Sequence, residues 1–279
     1  MSHYWRRRLL NYLLLGLCVA CTAVAVFPLL SILFYVAVRG FQALSPEFFT
    51  QMPRPVGEPG GGMANAVAGT FIMVGLAALL GLPVGIMAGI YLAEYGRGRL
   101  ADVIRFMTDV FTGVPSVVIG VFIYTVVVTR MGSFSALAGG LALSLIIIPL
   151  VTRTTEELLR MVPYTLREAS LALGATKART IVSVVLRSAA GGVVTGVMLA
   201  IARAAGETAP LLFTALSSRH WSLALREPMA SLPVYIYTYA ISPFRDWQVQ
   251  AWGAALVLLL TVLGLNLVAR AVTRSRYRY

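Results

Sequence analysis

Charge is scarce in this chain: 12% of its 279 residues are Asp, Glu, Lys or Arg, against 58% in the apolar set, and the mean hydropathy is +0.81. A soluble domain carries roughly a quarter of its residues charged to keep its surface wetted, so a water-soluble enzyme is excluded. Lysine is nearly missing. Lys177 is the only one, and no Gly-Lys dipeptide occurs anywhere. A phosphate-cradling P-loop ends in Gly-Lys-Ser/Thr at a helix start, so the run Gly60-Gly61-Gly62 is not one. If ATP drives this system, another subunit binds it. The two cysteines, Cys18 and Cys21, stand in the first apolar run with no histidine or further cysteine beside them, which leaves no zinc site and reads as two small core hydrophobes. His3 and His220 lie outside the apolar runs, so no Ser-His pair is placed for an intramembrane hydrolase.

Long apolar runs, by contrast, are plentiful. A helix needs about 20 apolar residues to cross about 30 Å of hydrocarbon. Six runs qualify, at 9–38, 64–93, 103–128, 135–151, 189–216 and 249–269. The expected fold is an all-α membrane protein with six transmembrane helices in a single permease domain, 1–279: a leading segment 1–8, a core 9–269 and a tail 270–279. Arg6, Arg7 and Arg8 before the first run, with Ala23-Val24-Ala25 inside it, resemble a secretory signal. The run continues to Val38, too long for a signal core, so an uncut anchor is expected.

The excess of cations sets an orientation. Lys and Arg number 23 against 11 Asp and Glu, and the cations punctuate apolar runs rather than coat a solvated face, which argues against nucleic acid. With the N-terminus inside, 16 of them fall on the cytoplasmic side and six, Arg39, Arg54, Arg130, Arg219, Arg226 and Arg245, on the other. That bias holds positive loops in the cytoplasm, and an even number of spans returns the C-terminus there too.

The loops differ in character. After the first run, Pro53, Pro55, Pro59 and the three glycines predict an irregular outer excursion. The inner loop 152–190 alternates charged and apolar groups, predicting short amphipathic helices on the membrane face, with Glu156 and Glu157 ahead of Arg160 at helical spacing. The outer segment 217–248 holds Trp221, Tyr235, Tyr237, Tyr239, Phe244 and Trp247, aromatics suited to anchoring at the lipid headgroups or to docking a partner.

Within the runs two charged groups stand out. Arg203 and Glu207, four apart in the fifth run, share one helical face if that run is one helix. A buried arginine costs on the order of 2.5 to 3.5 kcal/mol on insertion scales, so the pair must face the bundle interior or water. It is either a structural ion pair or a contact for an anion whose oxygens a guanidinium fork can grip. In the third run, Asp102, Arg105 and Asp109 predict a local ion network, and Gly113-Val114-Pro115-Ser116 a kink or an unwound turn, with Thr112 and Ser116 beside it.

Glu168-Ala169-Ser170, then Gly174, then Val184 and Leu186, resemble the EAA loop of bacterial ABC importer permeases; Ser170, Val184 and Arg187 replace that loop's third Ala, its Ile and its closing Pro. Gly61-Gly62-Met63-Ala64-Asn65-Ala66, Gly89-Ile90-Tyr91-Leu92-Ala93-Glu94-Tyr95, Gly113-Val114-Pro115-Ser116, Arg153-Thr154-Thr155-Glu156-Glu157 and Ala202-Arg203-Ala204-Ala205-Gly206-Glu207-Thr208-Ala209-Pro210 together resemble the A-type permease subunits of phosphate-specific importers. The resemblance implies a type I ABC importer permease fold in a bacterial inner membrane. It implies inorganic phosphate as substrate, a path at Arg203, Glu207 and Thr208, and an ATPase contact at Glu168, Ala169 and Gly174. It further implies a homologous second permease, a pair of ATP-binding subunits holding ATP and magnesium, a periplasmic phosphate-binding protein and surrounding lipid as partners, with no cofactor on this chain. The alternative is an independent secondary transporter or channel for a small anion, against which the elaborate inner loop argues.

Overall fold

Backbone N–H and C=O groups find no partner in lipid, so an apolar chain of this kind must bond them within helices. The computed structural model describes residues 2–55, 58 and 60–275, and among the described residues every regular element is helical. Pro59, Arg276 and Arg278 lie outside them. In order come α1 (Ser2–Ala43), α2 (Pro46–Thr50), α3 (Ala64–Glu94), α4 (Arg99–Gly113) and α5 (Ser116–Ile123). A wide π turn at Tyr124–Val128 carries α5 into α6 (Thr129–Met131), followed by α7 (Ala136–Arg160), α8 (Tyr164–Ala172) and α9 (Lys177–Thr180). A second π turn, Ile181–Val185, leads into α10 (Leu186–Ala205), and α11 (Ala209–Thr214), α12 (Leu232–Ala240) and α13 (Arg245–Ser275) complete the chain.

Among the described residues five stretches are long and apolar enough to cross a membrane unbroken: His3–Ala43, Ala64–Glu94, Ala136–Arg160, Lys177–Ala205 and Arg245–Val268. The pair α4 and α5–α6, bent by 104°, makes a sixth if its two arms are counted as one broken span rather than as a re-entrant loop. The expected third span is therefore not one kinked helix. Val114, the residue before a proline, is pushed to extended backbone (φ −68°, ψ 130°), and Pro115 has no N–H with which to continue α4. The expected fifth span also breaks. Its helix begins at Lys177, stops at Ala205, and restarts at Ala209 with Pro210 in the first turn of α11.

Helices in lipid gain little by burying leucine against leucine, so close packing has to come from small residues. Gly81, Gly85 and Gly89 recur every fourth residue along α3 and lie against Ile147, Val151 and Thr155, which recur every fourth residue along α7. A Cβ at these glycines would sit 3.2, 2.9 and 2.6 Å from those side chains. On α10, Gly192 and Gly196 receive Leu158 and Thr154 of α7 in the same way. Met73, Leu143, Ile147, Ala200, Ala204 and Leu211 make the core where α3, α7, α10 and α11 meet.

Peripheral α1 packs on α13 through its last turns, with Tyr35 against Trp252 (ring centroids 5.1 Å apart) and Gly40 under Leu256. Its earlier turns are exposed, Cys18 and Cys21 included, so the cysteines are surface groups on a lone helix rather than core hydrophobes. At the end of the bundle opposite α8, the aromatic segment turns partly inward. Tyr235 and Tyr239 are buried beside Phe48 and Met63, and Tyr239 stacks on Trp247 at 4.3 Å, whereas Trp221 and Tyr237 stay exposed. Asn65 of α3 ties this layer down, donating to the Ser218 carbonyl (2.7 Å) and the Tyr235 hydroxyl (3.0 Å). Burial raises both tyrosine pKa values, Tyr239 to about 12, so the stack stays neutral.

Candidate functional site

Two interrupted helices meet beside Arg203. α5 packs against α11, so closely that a Cβ on Gly120 would lie 2.7 Å from Pro210 Cα. This brings the break at Val114-Pro115 next to the break at Gly206–Thr208. At the first break is a cavity of about 20 Å³, lined by Thr112, Val114, Ser116, Ile119 and Pro149 together with Arg203, which stands just ahead of the second. That volume holds roughly one water molecule. Broken helices place free backbone groups inside a bundle, which is tolerated where they line a cavity.

Arg203 stands in the last turn of α10, where helix-end carbonyls favour a cation. Its side chain is 54% exposed, and its Nε lies 3.8 Å from Glu207 Oε1, an ion pair too long for a hydrogen bond. Among the described residues its guanidinium makes no hydrogen bond to protein, so its donors remain free. The shared helical face expected for the pair does not exist, because Glu207 lies beyond the helix end and reaches back across the break. Thr208, expected beside them, opens α11 and does not line the cavity, whereas Thr112 and Ser116 do.

At one end of the bundle the segment after α7 forms the expected helix-turn-helix. Pro163 starts α8, and Gly174, with φ +81°, turns the chain back in a conformation that a residue with a Cβ rarely adopts. The Thr176 side chain then caps α9 by accepting from Arg179 N (3.3 Å). Ser170, where the importer pattern has alanine, joins the two arms through Thr180, their hydroxyls 2.9 Å apart. Glu168 and Ala169 face outward with no side-chain partner among the described residues, and Leu173 at the tip is 89% exposed.

What fixes this segment is a pair the sequence did not flag. Arg167 and Glu94 are 12% and 7% exposed, with Arg167 Nε 3.0 Å from Glu94 Oε1. Arg167 also donates to the carbonyls of Val162 (2.7 Å) and Leu159 (2.9 Å), and Lys177 Nζ donates to the Glu94 carbonyl (2.8 Å). Seventy-three positions separate Glu94 from Arg167, so no local spacing could reveal them. The expected local network of α4 is likewise spread across helices. Arg105 bonds Glu156 of α7 at 2.8 Å and Asp102 at 3.3 Å, Glu156 also takes Arg160 at 2.8 Å, and Asp109 pairs with Arg153 at 3.7 Å.

Bent and interrupted spans around a lone arginine, with a helix-turn-helix projecting from one end, define a multi-pass permease. Residues 81–276 match the family described as "Binding-protein-dependent transport system inner membrane component", and the chain belongs to that family. Its relatives are particular. Proteins named "Phosphate transport system permease protein PstA" are 48% identical in Yersinia pestis, over 96% of this chain and 91% of theirs, and 47% identical in Haemophilus influenzae, over 97% and 95%. "Phosphate transport system permease protein PstA 1" of Mycobacterium tuberculosis is 40% identical over 96% and 88%. Among solved structures the fold is similar to the inward-facing MetNI methionine ABC transporter, with TM-score 0.61, 21% identity, and 77% of this chain and 94% of that one covered. It is also similar to a bacterial alginate ABC transporter, with TM-score 0.71, 13% identity and 98% of each chain covered.

Proposed function

We propose that this chain is one permease half of an ATP-driven importer of inorganic phosphate, seated in a bacterial inner membrane with both termini cytoplasmic. The observation that carries this reading is Arg203: a guanidinium with unspent donors, opening on a cavity where two spans break, in a chain whose relatives carry phosphate in their names. Phosphate at neutral pH is a doubly charged, oxygen-rich anion, and the guanidinium fork offers two parallel N–H groups to it. Glu207, loosely paired at 3.8 Å, competes for the same cation and limits how firmly the anion is held. Thr112 and Ser116 line that cavity and Thr208 opens α11 at the second break, so their hydroxyls are available to the anion as the spans rearrange, the breaks being where backbone angles can change.

This subunit makes and breaks no covalent bond. A pair of ATP-binding subunits holds ATP and magnesium, and their motion enters through Glu168, Ala169 and the turn at Gly174. A homologous second permease supplies the other half of the path, and a periplasmic phosphate-binding protein delivers the ion. Glu168→Lys reverses the charge at the exposed contact and is expected to abolish co-purification of the ATPase while leaving the permease folded.

The decisive experiment is uptake of labelled phosphate into vesicles holding the whole complex, with sulfate as competitor and a control without ATP. Phosphate uptake that needs ATP, resists sulfate and disappears in Arg203→Ala supports the reading. Sustained uphill uptake by this subunit with no ATPase present would instead establish the secondary-transporter alternative.

A further inference from the structure

Several cations converge on a cleft that the transport path does not use. Where the end of α3 meets α7, α8 and α9, an open cavity of about 570 Å³ is lined by Arg97, Arg160, Arg167 and Lys177 and by a single acid, Glu94. That acid is already committed, both its oxygens within 3.3 Å of Arg167 Nε, and Arg167 also donates to two carbonyls. The pair is neutral and fixed, which leaves three cations over. Lys177 gives one N–H to the Glu94 carbonyl and lies 4.1 Å over the Tyr95 ring, keeping two donors. Arg160 bonds Glu156 through Nη2 alone, and Glu156 is shared with Arg105. Arg97 is exposed, and its side chain has no partner among the described residues.

The rim of the same cleft is amphipathic. Tyr95, Met161 and Tyr164 are 46%, 77% and 66% exposed there, at the level where the apolar stretches of α3 and α7 end. A cationic floor under an aromatic rim at the end of two spans matches a phosphate group with something greasy attached. Glu168 and Ala169 do not line the cleft, so α8 turns a different face toward it from the one it offers outward.

We infer that this cleft binds a phosphate group through Arg97, Arg160 and Lys177, the headgroup of an anionic phospholipid being the source its rim fits, and that the bound group braces α8. The site is separate from the path at Arg203 and does not depend on what that path carries.

The test uses the assembled complex, purified after incorporation into bilayers of phosphatidylcholine mixed with phosphatidylglycerol, with retained lipids counted by native mass spectrometry. Arg97→Gln removes an exposed cation that makes no side-chain hydrogen bond or ion pair among the described residues, so the fold is kept. It should lower phosphatidylglycerol retention about fivefold, the effect of one cation near an anionic headgroup, and leave phosphatidylcholine unchanged. Arg160→Gln should do the same. If wild type shows no preference between the lipids, but millimolar inorganic phosphate raises its melting midpoint and not that of Arg97→Gln, the same cations hold free phosphate instead. Wild-type retention of both lipids alike with no effect of phosphate, or an unchanged preference in both variants, overturns the assignment.

Discussion

Arg167 and Arg203 are both carried on helices of an apolar bundle, and the protein treats them in opposite ways. Arg167, at the end where α8 projects, is 12% exposed and hydrogen-bonded to a carboxylate and two carbonyls. Arg203, at the junction of two broken helices, is 54% exposed and holds one carboxylate at a distance of 3.8 Å. Desolvating a guanidinium is tolerable when most of its donors are matched, as at Arg167, where all three nitrogens hold an acceptor, and the result is a rigid joint. A guanidinium left unmatched is stabilised by water, and its donors stay available to an anion that can replace that water. The same residue type is thus a fastening in one place and, under the proposed function, a station for passing ions in the other.

The sharpest way to break this contrast is to remove each arginine's role in turn. Arg203→Ala should cut phosphate uptake by more than about thirtyfold, since losing one partner of a charged contact costs about 2–5 kcal/mol. The complex should still assemble and melt as wild type, because no hydrogen bond within the protein is lost. Glu94→Ala should behave in reverse. It leaves Arg167 buried and unpaired, at a cost of about 3–5 kcal/mol, to be read as a lower melting midpoint and weaker ATPase co-purification. Were the two variants to show the same pattern, fastening and station would not be distinct.

Gly85→Val probes the frame that holds both ends. A Cβ there would stand 2.9 Å from Val151, and the overpacking should cost about 1–3 kcal/mol in thermal stability and loosen α3 from α7. The smallest effect belongs to Glu207→Gln. Half-exposed pairs are worth only about 0.2–1 kcal/mol, so binding of phosphate should tighten and turnover fall by roughly two- to fivefold, visible as a lower maximal uptake rate.

Much of this was legible in the chain. The scarcity of charge and the lengths of the apolar runs led directly to helices across a membrane, and Arg203 stood out because a cation amid apolar residues is costly wherever it goes. The turn at Gly174 was legible too, since a glycine after a short amphipathic helix marks a reversal. The breaks were legible only in part. Gly113-Val114-Pro115-Ser116 announced a disturbance, but a bend of 104° depends on what α5 packs against, and the stop at Gly206 was hidden because hydropathy sums over a window and does not register a change of direction.

Sequence alone therefore determined that this protein lives in lipid, that it is helical, and which cation is out of place, because those follow from composition and from the reach of a helix. Tertiary structure decided which charges are spent and which are free. Glu94 reaches Arg167 across 73 positions and Glu156 reaches Arg105 across 51, and such pairings exist only once α3, α4, α7 and α8 have come together. A side chain's availability is a property of its neighbours in space, and the order of residues along the chain does not contain it until the chain has folded.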